Sequence, residues 1–285
     1  MLRRPPLAAL GAGSAAVSKH GQHTERSPTL RDATLRVAPQ GEVCVTAPGE
    51  FEDLLTREGR RVLAGTHALV GALCDPRTRF LSIEGLIDRT KATRLRTLLD
   101  RTLPPVLERI DRPISPDTIW KMREDYAETL PKATRASTIY FDRSNEAGVQ
   151  LARRIGLDAL LRSASFRAFA EALAGRTLAA KFGQQVLCYE PGDYAGPHND
   201  HHPSNARARK GYIDLHLSLS SPAVAHQWLV YAKAGHLSEI VPVHGAATLT
   251  AYRLPFWHYT TPLVAKPGQG AKARRWVLLG TFLFA

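Results

Sequence analysis

GYIDLHLSL, residues 211–219, alternates without interruption: Ile213, Leu215, Leu217 and Leu219 are apolar, and Tyr212, Asp214, His216 and Ser218 carry polar atoms. Successive side chains leave a β-strand on opposite faces, so this pattern predicts a half-buried strand. Other short runs surround it: QQVLCY before, and HQWLVYA, EIVPV, AATLTAY and RWVLLGTFLF after. Each is rich in Val, Leu, Tyr or Trp and is bounded by turn residues. Many short strands at this spacing suggest a jelly roll or barrel rather than a parallel sheet.

Upstream of about Lys181 the period changes. EFEDLLTREGRRVLAGTHALVGAL repeats apolar residues at three- and four-residue steps, as does RLRTLLDRTLPPVLERI until its double proline. LARRIGLDALLRSASFRAFAEALAG predicts a pair of amphipathic helices ending on Gly175. The expected fold is therefore α+β: a mainly helical N-terminal layer over residues 41–180, packed on a double-stranded β-helix (jelly-roll, cupin-like) core over residues 181–285. The two are expected to form one domain, preceded by a flexible basic leader over residues 1–40.

The chain has 285 residues and 44% hydrophobic content, enough for a sizeable core. No run approaches eighteen apolar residues, which excludes a helical membrane span. Three cysteines, Cys44, Cys74 and Cys188, in no paired spacing fit a reducing, cytoplasmic setting rather than a disulfide scaffold. The apolar part of the first residues is short and broken by Gly and Ser, so it reads as a leader rather than a targeting segment. The net charge of +12 is uneven. Residues 1–40 carry six Lys/Arg against two Asp/Glu, and residues 203–285 carry nine against two. Such a balance fits nucleic acid, an anionic substrate or solubility alone. No basic run with interleaved aromatics is present, so nucleic acid is not favoured.

Eight of the 11 histidines fall after residue 197. YEPGDYAGPHNDHHP, Tyr189–Pro203, follows a Pro-Gly-Asp turn with His198, Asp200 and His201. In a strand His198 and Asp200 share a face while Asn199 points back. One imidazole and one carboxylate, completed by a distant histidine, would form the 2-His-1-carboxylate facial triad that binds Fe(II) and leaves positions open for reaction. A compact cluster that adds His201 and His202 would instead suit zinc or nickel, although one strand end cannot easily close a tetrahedron. Downstream, FWHYTTPL supplies His258, and RRWVLLGTFLF supplies Arg275 at the start of a strand.

In this order, Tyr-x-x-Gly, His-x-Asp, a distant His and then Arg-Trp opening a strand, the last third of the chain resembles the Fe(II)/2-oxoglutarate-dependent dioxygenases. It is similar to the branch of prolyl 4-hydroxylases and AlkB-type dealkylases. The resemblance implies that His198, Asp200 and His258 are the catalytic iron ligands. It implies that Arg275 holds the distal carboxylate of 2-oxoglutarate and that Tyr189 hydrogen-bonds the same co-substrate. It also implies the reaction: Fe(II), 2-oxoglutarate and O2 hydroxylate a C–H bond, with release of succinate and CO2. Three protein ligands, with Asp rather than Ala or Gly at position 200, favour hydroxylation over halogenation.

A guanidinium suits a carboxylate because it can make a two-pronged, charge-assisted contact. Arg274 and Arg275 leave a strand on opposite sides, and Arg275 is expected to point inward. The apolar face of GYIDLHLSL is expected to coat the co-substrate. His244 is the rival of His258. His201, His202, His216 and His226 are read as surface or supporting groups, Tyr252, Tyr194, Trp228 and Trp257 as core or pocket wall, and Arg207, Arg209 and Lys210 as a basic loop that could border the mouth. The substrate is expected to be a small molecule or amino-acid side chain, with an acidic one suited to that loop. Three alternatives stay open: an AlkB-type nucleic-acid dealkylase, a zinc hydrolase using HNDHH, and a non-catalytic metal- or sugar-binding jelly roll. The first has a 17-residue interval from His258 to Arg275 in its favour, but Thr281 where that branch carries a second arginine. The second needs a general base, for which only Glu190 is near.

Overall fold

Local signals set the helices. In the computed structural model, which describes residues 46–75, 77–113, 133–200, 211–233, 236–253 and 256–285, helix α1 spans Arg57–Leu63 and α2 spans Arg89–Thr102. The Thr56 hydroxyl caps α1 by accepting from the Gly59 N–H at 3.2 Å, and Asp88 caps α2 by accepting from the Lys91 N–H at 3.0 Å. Helix α2 buries Ala92, Leu95, Leu98 and Leu99 and stops ahead of Pro104 and Pro105, which cannot continue it.

The helical pair expected before Gly175 is a set of three: α3 (Ala147–Arg154), α4 (Leu157–Arg162) and α5 (Ala164–Ala174). Gly156, at φ 79°, separates the first two, and Ser163 in an extended conformation turns the chain into α5, whose N-terminus it caps. Gly175, at φ 64°, ends α5 as expected.

The segment expected to be mostly helical also contributes three strands, β1 (Phe80–Ile83), β2 (Glu108–Pro113) and β3 (Ala133–Tyr140). In β3, Thr134, Thr138, Ile139 and Tyr140 favour a pleated, half-buried surface over a helix. The remaining strands are β4 (Leu178–Tyr189), β5 (Tyr194–His198), β6 (Tyr212–Ser220), β7 (Val224–His226), β8 (Trp228–Lys233), β9 (His236–Pro242), β10 (Thr248–Arg253), β11 (His258–Thr260), β12 (Val264–Ala265) and β13 (Arg275–Phe284). The main sheet runs β1-β10-β6-β13-β4-β3-β5-β11-β8-β9, with antiparallel pairings, and β2 lies beside β3. It folds over at β3–β5, so two arms face each other. Arg275 on β13 reaches Gln227 beside β8 at 2.6 Å, and Tyr252 on β10 reaches Asp200 beyond β5 at 2.8 Å. This is a double-stranded β-helix, with the helices on the outer face of the larger arm.

Strand β6 is buried on both faces, not half-buried. Its apolar row, Ile213, Leu215, Leu217 and Leu219, belongs to the core cluster that holds Leu95 and Leu99 of α2 and Phe166 and Phe169 of α5. The polar row therefore faces the space between the arms. The expected shield of Ile213, Leu215 and Leu217 over a co-substrate is thus corrected: the helices occupy the apolar side of the strand. Gly280 assists this packing, because a Cβ there would come within 2.7 Å of the Phe166 ring. Cys44–Ala285 form one compact unit. The leader expected over residues 1–40 lies outside the described residues. Among the described residues no helix is long and apolar enough to cross a membrane.

Leu217→Ala should lower stability by about 2–5 kcal/mol, the usual cost of emptying a packed core site, and leave metal affinity unchanged. Urea unfolding and a metal titration check this. Unchanged stability with weakened ligand binding would return Leu217 to the pocket wall.

Candidate functional site

The Pro-Gly-Asp turn aims the first of the clustered side chains. Gly192, at φ 86°, donates its N–H to the Leu263 carbonyl at 2.9 Å, a conformation that favours glycine. The buried Asp193 carboxylate accepts from the Glu190 N–H at 2.9 Å and pairs with both Arg109 nitrogens, at 2.7 and 2.5 Å. Strand β5 leaves this turn and ends on His198. His258 opens β11 with His198 as its pairing partner on one side and Tyr231 on the other. The chain bends after His198, so Asp200 comes from beyond the strand, and Asn199, expected to point back, also lines the cavity.

The structure brings His198, Asp200 and His258 together, with one potential ligand atom of each within 4.8 Å of the others. His198 Nδ1 lies 2.6 Å from the Gly196 carbonyl oxygen, and His258 Nδ1 lies 2.9 Å from that of Phe256. A carbonyl only accepts, so each neutral ring carries its proton on Nδ1 and presents the Nε2 lone pair inward. The Nε2 atoms lie 3.2 Å (His198) and 3.9 Å (His258) from the two Asp200 oxygens. Two lone pairs and a carboxylate converging in this way suit a divalent cation.

Two residues that the sequence did not single out as contacts support Asp200. The Tyr252 hydroxyl donates to Asp200 Oδ2 at 2.8 Å, and His216 Nε2 lies 3.1 Å from the same hydroxyl. Tyrosine has one proton to give, so His216 donates to it. Their positions on the inward rows of β10 and β6 were the available signal; their contact across strands was not. His244 lies apart, with Nδ1 3.1 Å from the Gln227 carbonyl oxygen, and His226 packs beside Trp228. Glu190 pairs with Arg274 at 2.8 Å and stays outside the cluster. His201, His202, Arg207, Arg209 and Lys210 lie outside the described residues.

Arg275 points inward, as expected, and is 3% exposed. Its partner across the sheet is Tyr189, and its guanidinium lies 5.0 Å from the centre of that ring. It donates to the Ser218 hydroxyl at 3.3 Å and to Gln227 Oε1 at 2.6 Å. All three neighbours are neutral, and among the described residues no carboxylate pairs with it. A cavity of about 560 Å³ contains Arg275, Tyr189 and the His-Asp-His cluster, with Leu229, Val243 and Val277 as apolar wall. A second space of about 530 Å³, floored by Gly183 and Thr281, shares Tyr140, Gln185 and Leu279 with it. Arg275, Val277, Leu279 and Thr281 share one face of β13, so this floor is ~20 Å long.

Burial would raise the Asp200 pKa, but the His258 and His198 rings and the Tyr252 hydroxyl outweigh it and hold the carboxyl well below its usual range. Burial lowers His258 to about 4 and His216 to about 3. It opposes charge on His198 too, where contact with Asp200 prevails and raises the pKa. Burial lowers Arg275 to about 10, still charged at neutral pH. Asp214, on the inward row of β6, is raised well above its ordinary value by burial and by Asp200.

The fold and cluster define a double-stranded β-helix in which one cavity holds a His-Asp-His cluster suited to a metal ion and a buried guanidinium. The chain is similar to a Pseudomonas putida prolyl-4-hydroxylase (14% identity, TM-score 0.44, covering 76% of this chain and 99% of that one). It is similar to a 2OG-Fe(II) oxygenase family oxidoreductase from Burkholderia pseudomallei (14%, TM-score 0.48, 79% and 90%). A third likeness is to a Trichoplax adhaerens prolyl hydroxylase solved with a hypoxia inducible factor peptide fragment (13%, TM-score 0.45, 79% and 91%). No protein-family profile and no curated protein sequence matches the chain.

His216 takes up a proton in the unfolded chain near its ordinary 6.5 but in the folded protein only near 3. The unfolded state therefore binds more protons between these values, and stability falls as pH drops through that window. Metal-free His216→Gln, which keeps a donor for Tyr252, should lose less stability between pH 7 and pH 3. The difference should reach up to about 5 kcal/mol, at about 1.4 kcal/mol per unit. Equal losses by urea unfolding would show that His216 is not held neutral.

Proposed function

We propose that this protein is a 2-oxoglutarate-dependent non-haem iron oxygenase that hydroxylates a small molecule or an amino-acid side chain. The observation that carries this reading is the presence, in one cavity, of a 2-His-1-carboxylate cluster and a buried guanidinium that pairs with no carboxylate among the described residues. A buried charge is costly unless paired, so Arg275 suits an anionic ligand that arrives from solution. A metal-binding protein with no anionic co-substrate would have no use for that charge.

In this reading His198, Asp200 and His258 hold the iron through the two Nε2 atoms and a carboxylate oxygen. Fe(II) with 2-oxoglutarate and O2 supplies the oxidising power, and the co-substrate leaves as succinate and CO2. The chain's own groups do the rest. The carbonyls of Gly196 and Phe256 fix both imidazole tautomers, and Tyr252 fixes the Asp200 carboxylate. Arg275 receives the distal carboxylate of the co-substrate against the Tyr189 ring. Leu229, Val243 and Val277 keep water from the space between. Hydroxylation is the expected outcome because all three protein ligands are retained.

The zinc hydrolase is disfavoured because Glu190 is engaged outside the cluster, and the nucleic-acid dealkylase because Thr281 stands where that branch has an arginine. His198→Ala or Asp200→Ala should abolish Fe(II) binding and succinate formation. Arg275→Ala should raise the 2-oxoglutarate dissociation constant by roughly 30-fold or more and leave Fe(II) affinity near normal. Arg275→Lys should restore only part of the loss, since an ammonium lacks the two-pronged contact. Arg274→Ala should change little. Undiminished succinate formation in the triad variants would remove the iron assignment.

A further inference from the structure

We infer that Gln227 is the positioning residue that ties the co-substrate arginine to both strands bearing the metal-cluster histidines, and that its neutrality makes the pocket selective for a second carboxylate. The inference rests on the function proposed above. Gln227 is fully buried, between the end of β7 and the start of β8. Its side-chain Nε2 donates to the carbonyl oxygens of Asp193 at 3.2 Å and Thr261 at 2.9 Å, and its Oε1 accepts from Arg275 Nη1 at 2.6 Å. The reverse amide orientation would set an oxygen against two carbonyls and a donor against the guanidinium. The contacts thus fix which end faces Arg275.

The two carbonyls are not arbitrary positions. Asp193 immediately precedes β5, which ends on His198, and Thr261 immediately follows β11, which begins with His258. One amide therefore sets the spacing between the cation and both histidine-bearing strands. Because it is an amide, it holds the guanidinium without neutralising it. A carboxylate at this position would occupy the arginine permanently. An apolar side chain would leave it charged but loose. Ser218, the other polar contact of Arg275, is neutral as well. A dicarboxylic 2-oxo acid is thereby favoured over a monocarboxylic one of the same length.

The test compares wild type, Gln227→Glu and the volume-matched Gln227→Met, each loaded with Mn(II) without oxygen. Calorimetry measures the affinity for 2-oxoglutarate and for 2-oxopentanoate, which carries a methyl in place of the distal carboxylate. Wild type should prefer 2-oxoglutarate by at least about 30-fold. In Gln227→Glu the preference should fall to about threefold or less, with Gln227→Met intermediate and Mn(II) affinity within about tenfold of wild type in both. A merely structural role would weaken both acids alike, and that result overturns the inference, as does an unchanged preference in both variants. If wild type itself does not discriminate, the role proposed for Arg275 fails and this inference falls with it. If wild type discriminates and the variants do so equally, only Gln227 is wrong.

Discussion

A guanidinium that is 3% exposed, held among the described residues by an aromatic ring, a hydroxyl and an amide, is the constraint on which the rest of this structure turns. Such a charge is stable in a folded core only if its donors are occupied and its position is enforced. The sheet enforces it. Arg275 opens β13, and β13 lies between β4, which brings Tyr189 opposite, and β6, which brings Ser218. The opposite face of the same strands carries Trp276, Leu278 and Phe282 into the helical layer. Helices and pocket are two consequences of one alternation.

The His-Asp-His cluster is the second centre of charge, and it is built differently. Its carboxylate and both imidazoles come from strand ends and a bend, where side chains can converge more closely than along a ladder. Each is fixed by a hydrogen-bonded neighbour: the Gly196 and Phe256 carbonyls for the histidines, and the Tyr252 hydroxyl, backed by His216, for Asp200. The orientation of the ligand atoms is therefore set by backbone and buried hydroxyl geometry. The two centres share one cavity with an apolar wall, in which electrostatic contacts are stronger than in water.

Where one strand's period was enough, the sequence was readable. The alternation of GYIDLHLSL and the opposite facing of Arg274 and Arg275 follow from a two-residue period, whereas the grouping of His198, Asp200 and His258 and the choice of Arg275 came from the order of motifs that carries the family resemblance. Which face of β6 meets which layer did not follow. The pattern distinguishes two faces but does not say that the polar one lines an interior cavity, and the apolar row proved to belong to the helices. Strand β2 was hidden in the end of RLRTLLDRTLPPVLERI, whose spacing imitates a helix, while β1 and β3 lie between the helix-spaced runs. Gln227 and Tyr252 were invisible as functional groups, because their contacts join residues 34 to 52 positions apart. Only the fold creates those contacts.

The central claim is that the cluster and Arg275 act on one bound molecule. The most direct measurement is an anaerobic titration of the Fe(II)-loaded protein with 2-oxoglutarate, followed by visible absorption. Chelation of the iron by the keto acid end should produce a new charge-transfer band that saturates at one equivalent and is absent when zinc replaces iron. If iron binds but 2-oxoglutarate leaves the spectrum unchanged, or if 2-oxoglutarate binds equally well without metal, the two centres do not share a ligand and the account is wrong.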